Sequence, residues 1–337
     1  MTSLPDWVRR LKQSVSPSAL VLMYHRIAEV DIDPWDLCVS PTHFEQHLQT
    51  LQKNYPILSV NELADQLQTG QLTKQAIVLT FDDGYADNFT IARPMLEKYG
   101  IPASFFLTTQ PLLDQQRFWW DDLQQIICQT PLLPDRLSLP IADDNLEFEL
   151  LTEARLTTAL RTSLSTWKAH LAPPSRRAML YQHIWEKLKP LPHHLQQQTL
   201  HALRCWSGAE SMATPCPSVM TVAQVRELSQ HSLIDVGGHT ISHPALANHS
   251  RAVQQHEVAG GKSQLDELCR RSLTSFAYPY GNYNQTTRQV VEQAGFSIAF
   301  TTRAVATTRH TDRYQIGRLQ IPDCTGPQLQ KQINKLL

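Results

Sequence analysis

The order of segments along this chain indicates an α/β protein, with parallel strand–helix–strand units forming a barrel-like sheet and one helical insertion. Short, nearly continuous apolar runs such as ALVLMYH (Ala19 to His25), AIVLTF (Ala76 to Phe81) and IPASFFLTT (Ile101 to Thr109) read as strands covered on both faces. Segments of helical periodicity separate them, as parallel units require. The alternation stops near Gln110 and resumes near Pro217, and its two halves flank a stretch of different character. A single domain over 1–337, interrupted by a mostly helical insertion at about 111–216, fits better than two independent domains. A chain of 337 residues is long enough for one large core.

After the first strand, SPTHFEQHLQTLQKN is expected to be a helix capped by Ser40, with Pro41 in its first turn and Phe44, Leu48 and Leu51 on one face. YPILSV reads as a further strand, and NELADQLQTG as a helix closed by Gly70. Beyond AIVLTF, NFTIARPMLEKYG has a helical period that Pro94 bends or restarts. Within the insertion, LSLPIADDNLEFELL forms a hairpin or loose strands. Helical runs follow over Thr152 to Leu171, Ser175 to Leu188 and His194 to Trp206, punctuated by Pro173, Pro174, Pro190 and Pro192. MATPCPSV returns the chain to the main fold. There TVAQVRELSQHS is a helix capped by Thr221, and LIDVGGHTISHPAL leaves a short strand through two glycines. The alternation then continues through AVQQHEVAGGKSQLDELC, SFAYPYG, NQTTRQVVEQAG and FSIAFTT.

Composition narrows the function. Hydrophobic residues make up 42% and charged residues 18%, a globular balance, and a net charge of -1 provides no basic surface for nucleic acid. Cys38, Cys128, Cys205, Cys216, Cys269 and Cys324 include no C-x-x-C pair, so they read as buried thiols rather than a zinc site or disulfide framework. The N-terminal apolar run is too short to span a bilayer and lacks a small-residue cleavage site. The expected location is therefore cytoplasmic, at most peripheral to a membrane, with no transmembrane segment.

In parallel α/β folds, reactive groups collect where strands end. Four strand ends here carry polar residues: His25, the pair Asp82 and Asp83, the pair His239 and His243, and the YPYG turn. The adjacent aspartates of TFDDG repel each other, and an ordinary Asp-Gly turn is the plain alternative. HTISH spaces its histidines four apart, which sets two imidazoles on the same side of one helical turn. Two histidines with one carboxylate form a facial triad with open positions, suited to divalent zinc, iron, cobalt or nickel. Such an ion lowers the pKa of bound water to about 7 and stabilises both carboxylates as anions. One aspartate can then bind the metal while the other takes a proton.

TFDDG, HTISHP and FAYPYG, in that order, resemble the polysaccharide deacetylase family, also called the NodB-homology or carbohydrate esterase family 4 fold. The combination is specific although each motif alone is not. It covers roughly Ala19 to Gln110 and Pro217 to Thr302, and the MYH start is similar to the poly-N-acetylglucosamine deacetylase branch. The resemblance implies a distorted (β/α)7-type barrel, Asp82 as general base, and Asp83, His239 and His243 as ligands of a divalent metal, zinc first and iron, cobalt or nickel otherwise. It implies that the Tyr280 backbone N–H, after the motif proline Pro279, binds the oxyanion. It also implies an N-acetylated glycan as substrate, and the expected cytoplasmic location adds a lipid-linked glycan precursor as the alternative.

The chain departs from the family pattern at two points. GRLQIP lacks the late histidine that acts as general acid in most members, and His25 is the expected substitute. FAYPYG has Ala277 where the family has the arginine that pairs with the base; Arg318 is the candidate replacement, with a surface ion pair as its simpler role. Trp119 and Trp120 either stack on sugar rings or belong to the core. An O-acetyl esterase, a non-carbohydrate amidase and a catalytically silent glycan-binding protein are the alternatives to an N-deacetylase.

Overall fold

The computed structural model describes residues 17–208 and 219–337. The N-terminal basic patch, nearly all of MATPCPSV and Cys216 lie outside the described residues, as do the expectations attached to them. Strand β1 (Ser18–Tyr24) is followed by β2 (Arg26–Ile27) and β3 (Cys38–Val39), which pair with each other. Helix α1 (Pro41–Asn54) starts as expected, with Ser40 accepting a bond from the His43 amide. Helix α2 (Val60–Thr69) is closed by Gly70 at φ 70°. YPILSV is not a strand: it contributes a single bridge, Ile57 to Ile77. Pro56 has no N–H for a ladder, and Ser59 is already the cap of α2. Strand β4 (Ala76–Phe81) leads to a π-helical turn at Asn88–Ala92 and then α3 (Arg93–Tyr99). The helix does restart at Pro94, just after the Arg93 N–H has reached back five residues to the Asn88 carbonyl. Strand β5 (Ala103–Leu107) and α4 (Thr109–Asp114) follow.

The next stretch holds α5 (Trp119–Gln124), a regular hairpin of β6 (Arg136–Ile141) and β7 (Asp144–Glu149), then α6 (Thr158–Thr166), α7 (Arg176–Leu188) and α8 (His193–Ser207). The helix expected over Thr152 to Leu171 is shorter, because Thr157 caps α6 and the chain turns extended at Trp167. Phe118, Trp119, Trp120, Leu164, Tyr181, Ile184 and Leu203 pack together there, in a cluster that Tyr85 and Val219 join from outside the stretch. Helix α9 (Val222–Leu228), with its Thr221 capping box, precedes β8 (Ile234–Gly238), α10 (Arg251–Cys269) and β9 (Ser275–Ala277). Helix α11 (Gln285–Gln293), β10 (Ile298–Phe300), β11 (Thr307–Thr308), β12 (Arg318–Gln320) and α12 (Gly326–Leu336) complete the order.

Strands β10, β9, β8, β5, β4 and β1 lie side by side in that order, all parallel; β12 runs parallel to β1, and β11 pairs antiparallel with the start of β1. Ile316 bridges to Phe300 of β10 just before β12 joins β1, so one stretch of chain links the two ends of the curled sheet. The result is the distorted (β/α)7-type barrel. Strand alternation then sorts the side chains. Leu20, Leu22, Leu79, Phe81 and Phe105 pack outward with Phe44, Leu48 and Leu51 of α1. Val21, Val78, Phe106, Phe300 and Ile316 pack against one another inside. Met23 and His25 continue the inner face of β1, and Thr80 and Asp82 that of β4. In β12, Arg318 and Gln320 stand opposite Val21 and Met23 in register. The inner rows of three parallel strands thus end in polar residues at one edge. Cys38, Cys128, Cys269 and Cys324 are buried thiols as expected, whereas Cys205 is exposed, and among the described residues no helix is long and apolar enough to cross a membrane.

Candidate active site

Asp82 ends the inner row of β4, its N–H bonded to the Tyr24 carbonyl of β1. The chain then turns sharply: Asp83 has φ 76° and Gly84 φ 90°. This left-handed step swings Asp83 away from the alternation of the strand, so the two carboxylates do not share one environment. Asp82 accepts two bonds from Arg318, Nη1 to Oδ1 at 2.7 Å and Nη2 to Oδ2 at 2.6 Å. Arg318 is fully buried. Its Nε donates to the Thr301 carbonyl and its Nη1 also to Thr80 Oγ1, while its guanidinium lies over the rings of Phe106 and Phe300. The surface ion pair allowed for Arg318 is therefore excluded; it forms a bidentate buried pair in the place left by Ala277. Burial alone would raise the Asp82 carboxyl, but Arg318, with His239 and His25, outweighs it and holds the pKa down at about 2.

His239 and His243 follow β8. Gly237 and Gly238 are needed inside the barrel, since a Cβ on Gly237 would sit 2.5 Å from the Phe106 ring. HTISH is not a helical turn, contrary to the reading of its spacing. Thr240 and His243 both have positive φ, 70° and 61°, and the loop folds back so that the two rings lie 4.8 Å apart. The loop is held from outside the site by Glu257 of α10. Its Oε2 accepts from the Ile241 and Ser242 amides at 2.9 Å each, and its Oε1 from Ser242 Oγ at 2.6 Å. His243 N donates to Thr240 Oγ1. His239 Nδ1 donates to the Ala277 carbonyl at 2.8 Å, which turns Nε2 toward Asp83.

The two histidines and Asp83 fit a divalent cation. One ligand atom from each lies within 4.8 Å of the others, and all three residues are buried. Nε2 of His239 and of His243 stand 3.6 and 3.3 Å from Asp83 Oδ1. Burial pushes the histidine pKa values down to about 4 and about 3, so both rings are neutral and keep a lone pair for a ligand. Asp83 is pushed up, mainly by burial, and its Oδ1 has no hydrogen-bond partner among the described residues. An uncompensated buried carboxylate oxygen aimed at two neutral imidazoles is a cation-binding arrangement.

These groups face a cavity of about 240 Å³, bordered also by His25, Trp35, Trp120, Trp185, Lys189, Tyr280 and Gln320. His25 follows the inner row of β1, and its Nδ1 is buried without a hydrogen-bond partner among the described residues. Burial lowers the His25 pKa while the Asp83 and Asp82 carboxylates act to raise it. Tyr280, at φ 57° in the turn after Pro279, places its ring 4.5 Å from that of His243. Trp120 borders the cavity, its ring 4.7 Å from His243 and its Nε1 bonded to Tyr85 Oη. Trp119 and Pro279 are buried but do not border it; Trp119 packs against Trp120 and Trp185. Trp35, Trp185 and Lys189 were not singled out in the sequence. Trp185 and Lys189 stand four apart near the end of a helix whose period reads as core, and Trp35 lies alone in a loop.

A comparison with known proteins agrees with this geometry. The Streptococcus pyogenes deacetylase PplD, solved with acetate, superimposes with a TM-score of 0.58 at 19% identity over 94% of this chain and 99% of that one. The de-N-acetylase of Aggregatibacter actinomycetemcomitans gives 0.56 at 18% identity over 94% and 99%, and IcaB from Ammonifex degensii 0.54 at 19% over 94% and 97%. These likenesses establish a shared fold. YxkH of Bacillus subtilis (strain 168), provisionally described as a polysaccharide deacetylase, is 35% identical over 103 residues, 30% of this chain and 34% of the relative, so the match spans about a third of that protein. The polysaccharide deacetylase family model matches residues 69–129 and 188–299, just over half the chain. Asp82, Asp83, His239, His243 and Tyr280 fall within those limits; His25 and Arg318 do not. On its sequence match, and in keeping with its barrel and its aspartate–histidine cluster, the chain belongs to the polysaccharide deacetylase family.

Proposed function

We propose that this chain hydrolyses N-acetyl groups on an N-acetylated glycan, either a polymer or a lipid-linked precursor, releasing acetate and a free amine. The observation that carries this reading is the contrast between adjacent carboxylates in one cavity: Asp82 is gripped by Arg318, and Asp83 faces two neutral histidines. A divalent cation held by Asp83, His239 and His243, zinc first and iron, cobalt or nickel otherwise, would acidify a water and polarise the acetyl carbonyl, which lets a carboxylate as weakly basic as Asp82 accept the proton. Arg318 fixes the Asp82 carboxylate in one orientation and keeps it anionic. The Tyr280 N–H, in its left-handed turn beside His243, is the donor for the oxyanion that forms on the acyl oxygen. His25, whose Nδ1 has no partner among the described residues, would take up a proton as the Asp82 and Asp83 carboxylates offset its burial, and would pass it to the departing nitrogen as the carbon–nitrogen bond breaks. An amine leaves poorly unless protonated, whereas an alkoxide leaves more readily, so the role of His25 distinguishes amide from ester chemistry.

The test is acetate release from matched N-acetyl and O-acetyl sugars by protein reconstituted with each metal. His25→Ala is expected to lose about 10²- to 10⁴-fold on the amide and much less on the ester. A wild-type amide rate in that variant would remove the general-acid role; turnover of the ester alone would make the chain an esterase.

A further inference from the structure

We propose that Lys189 reads an acidic substituent, a carboxylate or a phosphate ester, on the glycan that enters this cavity; the proposal rests on the deacetylase reading above. Lys189 closes α7 and borders the same cavity as Asp82, Asp83, His25 and Tyr280. Among the described residues its ammonium is held by ring faces rather than by a counter-charge: Nζ lies 4.9 Å from the Trp185 ring centre and 4.8 Å from that of Tyr280. Burial lowers its pKa, and among the described residues no ion pair or hydrogen bond of its ammonium offsets it. Other nearby cations have partners: Arg177 of α7 is held by the backbone carbonyls of Glu153, Ile127, Thr130 and Ala154, and others form ion pairs. Arg318 binds Asp82, Arg26 binds Asp87 at 3.0 Å, Lys168 binds Asp36 at 2.6 Å, and Arg117 and Arg204 both reach Asp122.

A half-buried ammonium without an anion is costly to keep. A neutral amide side chain would donate to sugar hydroxyls from the same place without that cost. A fixed positive charge at the wall is accounted for by an anion that arrives with the substrate, because a charge-assisted hydrogen bond is about twice as strong as a neutral one. The two aromatic faces set the position of Nζ and leave its N–H groups free to turn toward the cavity.

The experiment uses a β-1,4-linked N-acetylglucosamine trimer, its 6-O-phosphate and its 6-carboxylate counterpart. Affinity by calorimetry and acetate release are measured at low and high salt for wild type, Lys189→Met and Lys189→Arg. The acidic trimers should bind and turn over about tenfold better than the neutral one at low salt, mostly through KM, with the preference shrinking as salt rises. The acidic-to-neutral ratio should fall to near one in K189M and persist in K189R. The phosphate and carboxylate arms identify which anion is read. No preference in wild type, or a preference that survives K189M, would overturn the proposal. A binding preference without turnover of any trimer would count against the deacetylase reading while supporting the assignment of Lys189.

Discussion

Asp82 and Arg318 are separated by most of the chain yet form the most enclosed ion pair at the site. The aspartates were legible because TFDDG ends an unmistakable strand. The arginine was legible only as a candidate, because the position where the family carries it holds Ala277 and a surface ion pair was the simpler role for Arg318; the register of β12 on β1 brings Arg318 to Asp82. With that pairing restored, the missing motif arginine no longer favours a silent binding protein. Arg318→Met should leave Asp82 buried without its counter-charge, costing about 3–5 kcal/mol of stability and raising the carboxyl pKa. Because the Asp82 pKa is lowered on folding, from 3.8 to about 2, the pair's contribution is complete above about pH 4 and lost as the pH falls through 2. Acid unfolding followed by circular dichroism should lose this part of its pH dependence in the variant; an unchanged acid limb would show that the pair is not a net stabiliser.

At the level of elements, the HTISH loop shows where periodicity misled. Spacing of four suggested one helical turn, but positive φ at Thr240 and His243 gives the same convergence of rings through a loop. Such a loop needs an external brace, and Glu257 supplies it from α10, which approaches closely because a Cβ on Gly261 would sit 2.9 Å from the Thr240 carbonyl carbon. Neither was legible, since a glutamate within a helix ordinarily reads as a solvated position. Glu257→Ala should weaken metal binding by about 10- to 100-fold, as loss of a group that orients ligands does. Glu257→Gln, whose amide oxygen can still accept from both N–H groups, should retain most of it. Equal metal affinity in wild type and Glu257→Ala, measured by competition with a chelator, would exclude the bracing role.

Across the whole molecule, the barrel edge supplies the reactive groups, and the Trp119 to Ser207 stretch adds Trp120, Trp185 and Lys189 to the cavity wall. The barrel was legible because strands and helices alternate with clean caps at Ser40 and Thr221, although the Ser59 cap was hidden within YPILSV. The wall was not: Trp35 and Trp185 stack at 4.1 Å, a contact between distant segments that no local pattern announces. A division of labour between two neighbouring carboxylates remains the centre of the account. It is tested most directly by Asp82→Asn, with metal content and acetate release from an N-acetylglucosamine oligomer measured on the same preparation. The account predicts full metal occupancy with hydrolysis reduced by at least about 10²-fold. Loss of the metal, or wild-type hydrolysis with the metal in place, would contradict it.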